Sequence, residues 1–110
     1  MEDFVRAHPL ALVQFGSGEC NPCAAIRQKV DRWLRAGGAG TPSDAAAQPV
    51  AALYVPMEKN LELAAQMGVL SVPTVRLYVD GGLALEGTGH FSLDAILERA
   101  ERYARLMERK

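Results

Sequence analysis

The spacing of apolar residues at the start of the chain predicts a short helix and then a buried strand. Residues 3 to 8 fit a helix that stops before Pro9, because the residue preceding a proline is disfavoured in the α region. Leu10 to Phe15 is an almost unbroken apolar run, which is typical of a strand buried on both faces. Gly16-Ser17-Gly18 then predicts a turn.

The next segment has a helical period. Between Ala24 and Ala36 the apolar residues recur at i, i+4, i+7 and i+8, which predicts an amphipathic helix with its apolar stripe in the core. Gly37 to Pro49 has no helical or strand period and predicts a solvated connector. Val50 to Val55 predicts a second apolar strand. The helix stripe consists of Ile26, Val30, Trp33 and Leu34.

The second half predicts a short helix, a hairpin and a final helix. Asn60 is a candidate cap for a helix that Gly68 ends, and Ser92 is a candidate cap for the last helix. Thr74 to Val79 and Leu83 to Glu86 read as two strands joined by a turn at Asp80-Gly81-Gly82. The order α, β, α, β, α, β, β, α predicts an α/β fold with helices on both faces of one sheet. The apolar positions of the last helix are Leu93, Ile96, Leu97, Ala100, Tyr103, Ala104 and Met107.

Length and charge narrow the class of protein. A chain of 110 residues predicts one domain over residues 1 to 110, and its net charge of -1, with both signs interspersed, indicates a solvated surface and no nucleic-acid partner. The acidic N-terminus lacks the apolar segment of a signal peptide, and no later run is long enough to span a bilayer. We therefore expect a cytoplasmic monomer with no membrane partner.

Cys20 and Cys23 are the only cysteines, and they stand three residues apart after an apolar run. On the first turn of a helix, residues i and i+3 have Cα atoms about 5 Å apart, which suits a disulfide. The helix N-terminus favours a thiolate, so Cys20 is the predicted nucleophile and Cys23 the resolving thiol. Pro22 fits the first helical turn. The pattern indicates a redox-active disulfide that needs no bound cofactor.

A metal site is the alternative use of these thiols. Cys20 and Cys23 would supply two ligands, and within one chain only His8 and His90 could add to them. Zinc needs four ligands, or three and a water, so a redox dithiol is favoured over a metal or a cluster shared between two chains.

The chain resembles the thioredoxin family. The resemblance rests on Leu12 to Phe15 followed by Cys20-Asn21-Pro22-Cys23, then on Gly68 to Thr74, and finally on Asp80-Gly81 and Gly89. It implies a thioredoxin fold, a central mixed β-sheet flanked by helices on both faces, shortened at its N-terminus by one strand. It also implies a cis Pro73 opposite the dithiol, Val72 offering its backbone to a substrate, and Gly89 on the loop bordering the groove.

Four positions differ from the pattern that this resemblance implies. Glu19 stands where the family usually has Trp, Asn21 where it has Gly, Gln14 where it has a buried Asp, and Ala52 where it has Lys. An amide cannot accept or release a proton, so Gln14 leaves the family's general-base role without an occupant. His90, which follows Gly89, is a candidate for proton transfer. We expect Gln14, Glu19, Asn21, Pro22 and His90 to modulate the dithiol.

The resemblance implies a thiol-disulfide oxidoreductase. Cys20 would attack a substrate disulfide, and Cys23 would resolve the mixed disulfide. The expected partners are disulfide-containing proteins and a reductase that donates electrons. Val72, the expected cytoplasmic setting and the lack of a His between the cysteines favour reduction over oxidation. The competing hypothesis is a non-enzymatic binding or chaperone module that uses the groove beside Pro73.

Overall fold

A mixed sheet of four strands organises residues 2–36 and 50–108, the part of the chain that this computed structural model describes. The strand order is β2-β1-β3-β4, with β1 parallel to β2 and antiparallel to β3, and β3 antiparallel to β4. The predicted mixed sheet and the predicted order of helices and strands are confirmed. The elements are α1 (Glu2–Ala7), β1 (Leu10–Gly16), α2 (Asn21–Arg35), β2 (Val50–Pro56), α3 (Leu61–Gln66), β3 (Thr74–Val79), β4 (Gly82–Thr88) and α4 (Leu93–Glu108).

Strand β1 is central, and all seven of its residues are buried. Its side chains alternate between two apolar clusters, because successive residues of a strand point to opposite faces. Leu10 and Leu12 pack with residues of α2 and α4, whereas Val13 and Phe15 pack with residues of α1 and α3. Helices therefore cover both faces of the sheet. This burial explains why β1 is apolar without alternation in the sequence.

The sequence predicted caps for α3 and α4 and a turn between β3 and β4, and the structure agrees with only some of these details. Ser92 Oγ accepts the backbone N–H of Ala95 at 3.2 Å, as expected for the cap of α4. Asn60 precedes α3, but its side chain does not cap it: Nδ2 donates to the carbonyl of Pro56 at 2.8 Å, across a short 3-10 turn at Met57–Lys59 that was not predicted. Asp80 and Gly81 both have positive φ, 50° and 86°, and form a two-residue hairpin turn between β3 and β4. Gly82, which was predicted to belong to the turn, is the first residue of β4.

Strand β3 carries a buried cation. Arg76 is 7% exposed; its Nε donates to Glu86 on β4 at 2.5 Å and its guanidinium also donates to Tyr78 Oη at 3.2 Å. Burial disfavours the charge on Arg76, but the hydrogen bonds to Tyr78 and Glu86 outweigh it, so the pKa of Arg76 lies above its ordinary value. The alternating pattern of β3 predicted a strand and not this ion pair.

Two of the predicted features concern parts of the chain that the structure does not describe. The connector expected at Gly37 to Pro49 and the side chain of Met107 lie outside the described part of the structure. Trp33 packs against the α2/α4 cluster as expected and donates Nε1–H to Glu101 at 3.0 Å.

Over residues 2–36 and 50–108, no helix is long and apolar enough to cross a membrane.

Candidate functional site

Cys20 immediately precedes α2, and Cys23 lies in the first turn of that helix. The two residues form a disulfide with Cα atoms 5.2 Å apart. Helix α2 begins at Asn21, so Cys20 is its N-cap residue and does not belong to the first turn itself. The backbone N–H of Cys23 donates to Cys20 Sγ at 3.2 Å. An N-cap acceptor satisfies an otherwise unpaired helix N–H, and a sulfur in this place gains most when it is a thiolate.

The two sulfurs differ in exposure. Cys20 is half-buried at the surface of the molecule, whereas Cys23 is 1% exposed beneath it. Asn21 and Pro22 lie between them as exposed residues of the first helical turn. The arrangement offers Cys20 to an incoming disulfide and keeps Cys23 behind it.

Gln14 lies on β1 directly under the start of α2. Its Nε2 donates to the backbone carbonyl of Cys23 at 2.8 Å, and the side chain is 6% exposed. Gln14 therefore joins β1 to the backbone of the first turn of α2. An ionised carboxylate could not make this bond, because it has no hydrogen to donate.

Tyr54 and Gly16 belong to the same site, and the sequence did not single them out. A Cβ on Gly16 would stand 2.8 Å from Tyr54 Oη, 3.1 Å from Cys23 Cβ and 3.2 Å from Cys23 Sγ. Tyr54 is the β2 partner of Gln14 in the parallel pairing with β1. The absence of a side chain at Gly16 thus lets a tyrosine hydroxyl and the resolving cysteine approach the same point. The pairing register of β1 with β2 was the missing information.

A cavity of about 490 Å³ lies between α2 and the sheet. Gln14, Arg27, Ala52 and Tyr54 are among the residues that line it. The guanidinium carbon of Arg27 lies 4.4 Å from the centroid of the Tyr54 ring, a cation-π contact that holds the ring in place. Ala52 leaves part of this space open, since the lysine that the resemblance places there would reach further.

The expected groove residues come together at the end of β1 that leads to the dithiol. Phe15 pairs with Thr74, so Pro73 lies beside the end of β1. The Val72–Pro73 peptide bond is cis, and Pro73 is buried. The carbonyl of Pro73 accepts the N–H of Gly89 at 3.0 Å, which joins the two loops. The backbone of Gly89 is therefore held next to the cis peptide of Val72 and Pro73.

Neither Glu19 nor His90 has a hydrogen bond or ion pair with the dithiol among the residues that the structure describes. Glu19 is exposed in the turn before Cys20, and His90 is exposed in the bend after Gly89. Neither side chain hydrogen-bonds to a cysteine among the described residues. Their predicted modulating roles remain predictions.

The residues proposed for a metal do not converge. His8 lies at the opposite end of β1, about 20 Å away for seven residues at 3.3 Å each, and its Nδ1 hydrogen-bonds to the carbonyl of Phe4 at 2.9 Å. Within residues 2–36 and 50–108, no three His, Cys, Asp or Glu residues cluster as metal ligands would.

The fold matches those of solved thioredoxins. A mutant thioredoxin from Halobacterium salinarum is 25% identical, with 94% of this chain and 81% of that chain covered and a TM-score of 0.71. Oxidised thioredoxin from Plasmodium falciparum is 17% identical, with 91% and 88% covered and a TM-score of 0.73. Thioredoxin f2 from Chlamydomonas reinhardtii is 19% identical, with 94% and 88% covered and a TM-score of 0.71.

No protein-family model matches the sequence, and no curated protein matches it. The likeness therefore rests on the fold and the site. Together they support a thiol-disulfide oxidoreductase type of function. The mixed sheet, the dithiol at the start of α2 and the structural matches identify the chain as a divergent thioredoxin-fold protein.

Proposed function

We propose that this protein reduces disulfides of other proteins through the Cys20/Cys23 dithiol. The observation that carries the proposal is the difference between the two thiols. Cys20 is half-buried and capped by the Cys23 N–H, whereas Cys23 is almost fully enclosed behind it. A thiolate is the nucleophile in thiol-disulfide exchange, and it must be accessible to attack.

The reaction has two exchange steps. The Cys20 thiolate attacks one sulfur of the substrate disulfide; a Cys20–substrate bond forms, and the other substrate sulfur leaves as a thiolate that takes a proton. The Cys23 thiolate then attacks Cys20 Sγ, which forms the Cys20–Cys23 disulfide and releases the second substrate thiolate. The substrate gains two electrons, which the dithiol supplies. A reductase then supplies two electrons and returns the Cys20–Cys23 disulfide to the dithiol.

The substrate binds as an extended segment along the groove. Val72 and Gly89 present backbone to that segment on the two sides of Pro73, and main-chain hydrogen bonds of this kind accept many sequences. Leu70, two residues before Val72, is 91% exposed and supplies an apolar contact at the same edge. The reducing direction suits a cytoplasmic monomer, because a reducing compartment keeps the dithiol reduced.

The test is reduction of a model protein disulfide with a chemical dithiol as electron donor. Wild type should accelerate reduction, and Cys20→Ser should lose that acceleration. Cys23→Ser should instead accumulate a mixed disulfide that can be isolated without reductant. Wild-type protein no faster than Cys20→Ser would overturn the proposal. If such an inactive wild-type protein binds reduced and oxidised polypeptides equally under the same conditions, the groove functions as a binding or chaperone module.

A further inference from the structure

Tyr54 places a hydroxyl beside the sulfur of the resolving cysteine. Tyr54 Oη and Cys23 Sγ lie 2.8 Å and 3.2 Å from the point that a Cβ of Gly16 would occupy, so the two atoms are no more than about 6 Å apart. We propose that the Tyr54 hydroxyl donates a hydrogen bond to Cys23 Sγ when the dithiol is reduced. The benefit for turnover rests on the function proposed above; the hydrogen bond itself does not.

The hydroxyl is available for this bond. Among residues 2–36 and 50–108, Tyr54 Oη has no hydrogen-bond partner, and its ring packs against Arg27. The guanidinium covers the ring at 4.4 Å and leaves the hydroxyl at the far end of the side chain. A buried or half-buried hydroxyl gains by finding an acceptor, and a thiolate is a charged one.

Gln14 is bonded to a different acceptor. Its amide donates to the backbone carbonyl of Cys23 and not to the sulfur. The hydroxyl of Tyr54 is a second polar group on this side of the sheet, because Tyr54 on β2 pairs with Gln14 on β1.

The proposed bond acts on the resolution step. The proton of the Cys23 thiol passes to solvent. The remaining thiolate accepts the Tyr54 O–H bond. It then attacks Cys20 Sγ of the mixed disulfide; the Cys20–Cys23 bond forms, the bond to the substrate breaks, and the substrate sulfur leaves with the electron pair.

The hydrogen bond is tested without any substrate. In reduced Cys20→Ser protein, Cys23 is the only thiol, and its titration is followed by thiolate absorbance and by the pH dependence of its alkylation. Adding Tyr54→Phe keeps the ring and removes the hydroxyl. A lost hydrogen bond to a charged group predicts that the titration midpoint rises by about one pH unit. Tyr103→Phe on α4, which does not line the cavity, should leave the midpoint unchanged.

A second variant covers the case in which Tyr54→Phe fails to fold. Gly16→Ala puts a methyl group 2.8 Å from the hydroxyl and 3.2 Å from the sulfur, which crowds the space that the two atoms share, and it should raise the midpoint in the same direction. A midpoint unchanged in every variant that folds overturns the role of Tyr54. The proposed function fails separately, if wild type reduces no disulfide; a midpoint that rises in Tyr54→Phe would then still establish the hydrogen bond.

Discussion

Gln14 Nε2 donates a hydrogen bond of 2.8 Å to the backbone carbonyl of Cys23, and so joins the central strand to the first turn of the dithiol helix. The bond needs a donor on the strand. A glutamine meets this need at every pH, whereas a carboxyl group does so only when it carries its proton. Gln14 stands where the thioredoxin pattern has an acidic residue, and it provides a hydrogen bond between β1 and α2 that does not depend on pH.

The first prediction is that Gln14→Glu destabilises the protein at neutral pH by about 1 to 3 kcal/mol. Burial and the facing carbonyl both favour the protonated form of the introduced carboxyl group, so its pKa rises in the folded state. A raised pKa adds stability below the unfolded value and loses it as pH increases through the folded value. The difference from wild type should therefore shrink toward acid pH in urea unfolding. A pH-independent difference would contradict the assigned bond.

The second prediction concerns the order of alkylation. In the reduced protein, Cys20 should react with a small alkylating reagent at least about tenfold faster than Cys23, because Cys23 is 1% exposed and Cys20 is the capped, half-buried sulfur. Peptide mass spectrometry over a time course distinguishes the sites. Equal labelling in folded protein would show that the two thiols are equivalent.

The third prediction concerns the charge beside the nucleophile. Glu19→Gln should increase the Cys20 thiolate population near neutral pH, since a negative charge one residue away opposes ionisation. Glu19 is exposed, so the gain should be less than about tenfold and should fall as salt is added. Glu62→Gln, an exposed change on α3, is the control. No gain at low salt would mean that the Glu19 carboxylate points away from Cys20.

The fourth prediction concerns Gly87 on β4, shortly before the loop that carries Gly89. A Cβ on Gly87 would stand 2.4 Å from the ring of Phe91, which packs against the α2/α4 cluster. Gly87→Ala should therefore lower the free energy of unfolding by about 1 to 3 kcal/mol through overpacking. Gly18→Ala is the matched control, because nothing lies within 4 Å of its Cβ position. Equal unfolding midpoints for the two variants would contradict the packing of Phe91.

The fifth prediction concerns the apolar contact at the groove. Leu70→Ser should raise KM for protein disulfides several-fold and leave the unfolding midpoint close to that of wild type, since Leu70 is 91% exposed. Leu61→Ser, at 68% exposure on α3, controls for the loss of an exposed leucine elsewhere. Similar KM values in both variants would remove Leu70 from the substrate surface.

The order of the elements and the place of the dithiol were predictable from the sequence. Helical and strand periods report which face of an element is apolar, and that information is local. The i, i+3 spacing likewise predicted a separation close to the observed 5.2 Å, although Cys20 is the N-cap of α2 and does not lie in its first turn. Asn60 shows the limit of local information: it stands before a helix as a cap should, yet its amide donates to Pro56 instead.

The partners of the dithiol were decided only by the tertiary structure. Gln14 meets Cys23 because α2 packs over β1, and Tyr54 reaches the space left by Gly16 because β2, which is distant in sequence, pairs with β1. Arg76 meets Glu86 because the register of β3 with β4 places the two residues opposite each other. A shift of one residue would turn every such side chain to the other face of the sheet. Register depends on how the two apolar faces pack against their helices, and that packing is a property of the whole chain and not of any short segment.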